Sequence, residues 1–103
     1  SQDFEAAAFW YQQAAEQEVA DAQNNLGLLN RTGSGVPRNY TLAAEWYRKA
    51  ADQNYALAQY NLGLAYELGE SVPKNKRVAI QWYQKAAAQG DVSAKNRLDG
   101  LTK

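Results

Sequence analysis

The chain has 103 residues, a formal net charge of zero, and neither cysteine nor histidine. Those absences exclude disulfides, thiol nucleophiles, Cys/His zinc sites and histidine acid–base chemistry. The neutral balance gives no electrostatic case for a nucleic-acid backbone or an anionic membrane as partner, and no apolar run approaches the length of a membrane span. The charge is nonetheless graded, with five acidic and no basic side chains in residues 1–30, against six acidic and eleven basic in the remainder.

In chain order, the first element is a helix over 3–17. Ala7, Trp10, Tyr11, Ala14 and Ala15 fall at i, i+3, i+4, i+7 and i+8, one stripe of an α-helix. A tight turn at Glu18 follows, and because glutamate enters the left-handed region unwillingly, this turn is expected to be strained or built differently from its counterparts. The second helix, 20–32, carries Ala22, Leu26 and Leu29, with Gly27 inside it. A mid-helix glycine costs about 1 kcal/mol relative to alanine, so it calls for close approach by a neighbour such as an indole or phenol ring.

The connector Gly33-Ser-Gly-Val-Pro-Arg-Asn39 closes that helix with glycine, forbids its continuation with proline and offers asparagine as the next N-cap, with Val36 as an apolar plug. Helix 40–53 then redraws the first stripe with Ala43, Trp46, Tyr47, Ala50 and Ala51. After a turn at Asn54, helix 56–68 redraws the second with Ala58, Leu62, Gly63, Ala65 and Tyr66. The connector recurs as Gly69-Glu-Ser-Val-Pro-Lys-Asn75, helix 76–89 draws the first stripe again with Ala79, Trp82, Tyr83, Ala86 and Ala87, and Gly90 makes the turn. A last helix, 91–101, keeps Leu98 but has Lys95, Arg97 and Asp99 where Gln59, Asn61 and Gly63 stand one period earlier, as befits a capping unit.

The Trp-Tyr pairs at 10, 46 and 82 are 36 residues apart each time. A fixed period of this size marks a stacked repeat array. The expected organisation is a single domain, 1–103, of about six helices: a lone helix 3–17, repeats 20–53 and 56–89, and a capping helix 91–101. With no initiating methionine, it reads as an excised or processed chain, complete at its C-terminal cap. The expected packing set is Trp10, Tyr11, Leu26, Gly27, Trp46, Tyr47, Leu62, Gly63, Tyr66, Trp82, Tyr83 and Leu98, since burying large aromatics is how an alanine-rich helix pair gains apolar contact.

The string 56–69, Ala-Leu-Ala-Gln-Tyr-Asn-Leu-Gly-Leu-Ala-Tyr-Glu-Leu-Gly, with Val72-Pro73 and the later Trp82-Tyr83-Gln-Lys-Ala86-Ala87, resembles the Sel1-like repeat, a relative of the tetratricopeptide repeat. The resemblance implies an all-α, right-handed α/α superhelix acting as a non-catalytic adaptor for another protein, common in bacteria and often secreted or periplasmic, without cofactor or metal. Carried over from the related arrays, it also implies a partner-binding groove lined by Asp21, Asn24, Leu28 and Arg31, then Leu57, Tyr60, Leu64 and Glu67, extended by Ser93 and Asn96. Two alternatives differ in class: a structural spacer or homodimer using the unpaired N-terminal helix with Phe9, and a hydrolase built on the carboxylates Asp21 and Glu67.

Overall fold

The computed structural model describes residues 2–70 and 72–103, and all its regular structure is helical: α1 Gln2–Glu16, α2 Ala20–Thr32, α3 Tyr40–Asp52, α4 Ala56–Leu68, α5 Lys76–Ala88 and α6 Val92–Leu101. Each helix packs on the next, and the array is elongated, 44 × 23 × 18 Å. Ser71, in the second connector, lies outside the described residues.

The expected punctuation is realised residue by residue. Asn39 and Asn75 cap α3 and α5, their side chains accepting from the backbone N–H of Leu42 at 2.9 Å and of Val78 at 3.1 Å. Gly33 and Gly69 close α2 and α4 in the left-handed conformation, φ 70° and 72°, their N–H groups returning to Leu29 and Ala65 carbonyls. Of the two expectations for the first turn, strain at Glu18 holds and a different build does not. Glu18 adopts φ 64° beside 69° for Asn54 and 95° for Gly90, and the same backbone bonds close all three turns, such as Val19 N–H to Ala14 O at 3.2 Å and Tyr55 N–H to Ala50 O at 3.3 Å. The shared geometry of the helix pair prevails over the local preference of glutamate.

The two mid-helix glycines are explained by the most extensive contacts, α2 on α3 and α4 on α5. A Cβ at Gly27 would stand 2.7 Å from Tyr47 Cε1, and one at Gly63 would stand 2.6 Å from Tyr83 Cε1. Each phenol ring therefore lies against bare helix backbone. Both tyrosines are buried, and with Leu26, Leu62 and the alanines at 15, 22, 43, 50, 51, 58, 79, 86 and 94 they form a ribbon of core along the array.

The indoles behave less uniformly than their shared motif suggests. Trp46 packs on the cluster of Ala15, Ala22 and Leu26, and Trp82 packs on the cluster around Ala51, Ala58 and Leu62. Each is thus seated on the helix hairpin that precedes its own helix, α1–α2 for Trp46 and α3–α4 for Trp82. Trp10 has no such hairpin among the described residues and is 67% exposed, edge-on to Phe9 with ring centroids 5.2 Å apart. Its place in the packing set is corrected accordingly.

A second periodic device escapes the apolar pattern. Gln23 and Gln59 are buried and donate back to the carbonyls of Ala15 at 3.2 Å and Ala51 at 3.3 Å. Each also accepts, at 2.9 Å, from the glutamine that ends the next Trp-Tyr helix, Gln53 and Gln89 respectively. The pairing satisfies polar groups that would otherwise be costly to bury.

Candidate interaction surface

Alternation of direction along the array makes α2, α4 and α6 parallel neighbours on one face. Within α4, Leu57, Leu64 and Leu68 fall within about 20° of one line on the helical wheel. Leu57 and Leu68 are each 50% exposed, and Leu28, one repeat before Leu64, is 37% exposed. The face therefore carries an apolar stripe on α4 that continues onto α2.

Polar contacts from α2 to α4 and its following connector, and from α4 to α6, border this stripe. Asn61 Nδ2 donates to Asn24 Oδ1 at 2.9 Å. Arg31 makes a two-pronged bond to Glu70, Nε to Oε1 at 2.9 Å and Nη2 to Oε2 at 3.1 Å. Glu67 receives Arg97 in the same fashion, at 3.1 and 2.7 Å, and also accepts from Tyr83 Oη at 2.7 Å. The position one period apart is thus Arg31 in one copy and Glu67 in the next, each strapped forward to a residue of opposite charge.

The electrostatics follow from these contacts. Burial pushes the Glu67 carboxyl up, but the hydrogen bonds from Tyr83 and Arg97 and the charges of Arg97 and Lys74 outweigh it and hold the group below the usual range. The hydrogen bond to Glu70 raises the Arg31 guanidinium further above its already high value. Burial pushes the Tyr47 phenol up to about 12; burial and Glu67 raise that of Tyr83 still further. The Tyr47 hydroxyl is buried without a hydrogen-bond partner among the described residues: the place of Glu67 is held by Arg31, which cannot accept and turns its donors to Glu70.

The residues expected to line a groove divide into two groups. Leu28, Leu57, Asp21, Ser93 and Asn96 are exposed. Asn24 is not available: it is buried and taken up by Asn61. Tyr60 and Leu64 are half-buried against the Ala79, Tyr83, Ala86 and Ala94 cluster, with the Tyr60 and Tyr83 rings 5.9 Å apart. Arg31 and Glu67 are engaged in the straps. Asp21 and Glu67 do not form a carboxylate pair. The counterpart of Glu67 on α2 is Arg31, ten residues beyond Asp21, which along a helix is about 15 Å. Among the described residues no group of three or more acidic side chains is arranged to hold a metal, and no helix is long and apolar enough to cross a membrane. Missing from the sequence-based set are Asn61, Glu70 and Arg97, whose roles depend on partners 30 to 39 residues away; Leu68 was detectable as the next member of the leucine line.

Comparison with known proteins agrees with this architecture. The Sel1 repeat model matches residues 1–19, 20–55 and 56–91. No curated protein matches the chain significantly. Among solved structures, a Sel1 repeat protein from Oxalobacter formigenes superposes with a TM-score of 0.86 at 45% identity, over 91% of this chain and 39% of that one. The protective antigen c5321 of uropathogenic Escherichia coli, which displays an SLR fold, gives 0.87 at 37% identity, over 88% of this chain and 20% of that one. Helicobacter pylori cysteine rich protein B gives 0.83 at 26% identity, covering 88% and 68%. The chain thus spans about two-fifths and one-fifth of the first two relatives. Its period, its helix pairs and these likenesses establish that the chain belongs to the Sel1 repeat family, an all-α superhelical solenoid whose members typically serve as non-catalytic protein-interaction scaffolds.

Proposed function

We propose that this chain binds a peptide or helix of another protein along the face formed by α2, α4 and α6. The observation that carries the reading is the exposure of Leu28, Leu57 and Leu68 on one surface, beside which Arg31 is paired with Glu70 and Glu67 with Arg97. An apolar stripe rimmed by satisfied polar groups suits the apolar side of an extended segment or amphipathic helix. Because Tyr60 and Leu64 also pack the core, the informative substitutions are at the exposed leucines. A photo-crosslinking amino acid in place of Leu57 should trap one partner, while the same probe in place of the exposed Gln81 on α5 should not. The adduct should vanish when Leu28 and Leu68 are both changed to serine with the thermal melt preserved. Equal trapping at both positions would refute this reading.

The exposed Phe9–Trp10 pair favours a second reading, self-association through α1. Light scattering should then find a dimer that Trp10→Ser dissociates; a monomer at all accessible concentrations would dismiss it.

A further inference from the structure

A cleft of about 530 Å³ opens between α3, α4 and the connector that holds Val72. It lies on the far side of α4 from the leucine stripe, since Leu62 and Tyr66, which line it, stand about 140° and 180° around the helix from Leu57. Its volume is within the range of roughly 300–1,000 Å³ typical of ligand clefts. The floor is apolar, with Ala44 and Leu62 buried and Val72 half-buried.

The rim holds two cations, Arg48 and Lys49, with the Glu45 carboxylate on the same rim. Arg48 donates from Nη2 to Tyr66 Oη at 3.2 Å and lies 5.3 Å from the centre of the Trp82 ring. Lys49 lies 5.8 Å from the centre of the Trp46 ring and stands between this cleft and a neighbouring one that holds Glu16, Glu18 and Asp52. Neither forms an ion pair among the described residues, although Glu45 stands one turn away at the same cleft. The Tyr66 hydroxyl and the Trp82 face hold the Arg48 guanidinium in place while leaving most of its N–H donors unused. This combination belongs to the α3–α4 hairpin alone: the places of Arg48 and Tyr66 are taken by Gln12 and Asn30 one period earlier, and by Gln84 and Thr102 one period later.

We propose that this cleft binds the C-terminal residue of a peptide chain, its aliphatic or aromatic side chain on Ala44, Leu62 and Val72 and its carboxylate on Arg48, with Lys49 as a second cation. An uncharged apolar group would cover the guanidinium without giving it a counter-ion, at a desolvation cost. An inorganic anion would leave the floor wet. A terminal carboxylate supplies a planar pair of oxygens for the guanidinium fork, and carries an apolar side chain on the adjacent carbon. The site is separate from the α2, α4, α6 face, and its occupation does not depend on a partner there.

The test is a titration with acetyl-Ala-Ala-Ala-Leu as the free acid and as the C-terminal amide, followed by backbone and arginine Nε NMR shifts. The free acid should saturate shifts at Ala44, Val72 and Arg48 Nε, and the amide should bind roughly tenfold or more weakly, the loss of one charge-assisted contact. Arg48→Gln, which installs the residue the next repeat carries, should weaken the acid to the level of the amide with an unchanged melt, whereas Leu57→Ser should leave it unaffected. Equal binding of acid and amide, indifference to Arg48→Gln, or no saturable shift at millimolar peptide would each overturn the proposal. So would tighter binding of octanoate than of peptide, which would assign the cleft to a lipid carboxylate.

Discussion

Tyr47 and Tyr83 occupy the same place in consecutive repeats, pack on equivalent glycines and are both buried, yet among the described residues only Tyr83 has a partner for its hydroxyl. Changing each to phenylalanine removes one oxygen and leaves the ring on its glycine, so the pair isolates the hydrogen bond from the packing. Tyr83→Phe deletes a bond to a charged acceptor, worth about 1.5–3 kcal/mol. At ~4 °C per kcal/mol for a chain of this size, the melting temperature should fall by roughly 6–12 °C. Tyr47→Phe removes a hydroxyl that is desolvated without compensation and should leave the melting temperature unchanged or raise it.

The Tyr83 effect should also depend on pH. Because the folded state holds the Glu67 carboxyl low, its contribution is fully present above the unfolded value of about 4.3, and is lost as the pH falls through the lower folded value. The gap between wild type and Tyr83→Phe should therefore be complete at pH 7 and narrow below about pH 4, while that of Tyr47→Phe stays flat over this range. Thermal melts by circular dichroism at pH 7 and pH 3 measure all of this. A fall in melting temperature for Tyr47→Phe equal to that of Tyr83→Phe would refute the reasoning, since it would mean that the Tyr47 hydroxyl stabilises the fold as much as the one bonded to Glu67.

Two further substitutions test the backbone argument. Gly63→Ala should destabilise by about 1–3 kcal/mol, because the new methyl meets the Tyr83 ring and overpacking outweighs the gain in helix propensity; Gly100→Ala, where a Cβ would meet nothing within 4 Å, should stabilise by up to about 1 kcal/mol. Urea denaturation of the two proteins should give shifts of opposite sign, and a stabilised Gly63→Ala would discount the ring contact. Glu18→Gly should raise stability by about 1 kcal/mol by relieving a side chain held at φ 64°, and a lowered urea midpoint would show that the Glu18 side chain contributes more than its backbone strain costs.

Sequence periodicity carried the reading furthest where the determinants lie within one helix pair. Asn39, Gly33 and their counterparts act on backbone groups a few residues away, so their roles could be read directly. Gly27 and Gly63 were legible because an internal glycine costs enough to need a reason. Trp10 was misread because the burial of each indole depends on the unit before it, which the motif itself does not contain. Asn24 was placed on the groove by analogy with related arrays, whereas in this chain it is buried in a contact with Asn61. The Arg31–Glu70 and Glu67–Arg97 straps join residues 39 and 30 positions apart, with offsets that a strict period of 36 does not reveal.

The contact of a phenol ring with bare helix backbone fixes more than local packing. Each ring acts as a spacer of invariable thickness between one hairpin and the next, so the rise per unit is set by the aromatic ring itself and not by an adjustable cushion of side chains. Leu28 on α2 and Leu57 on α4 owe their separation to that spacer. Any partner that read both leucines would in effect be measured against the Tyr47 ring, which it never touches.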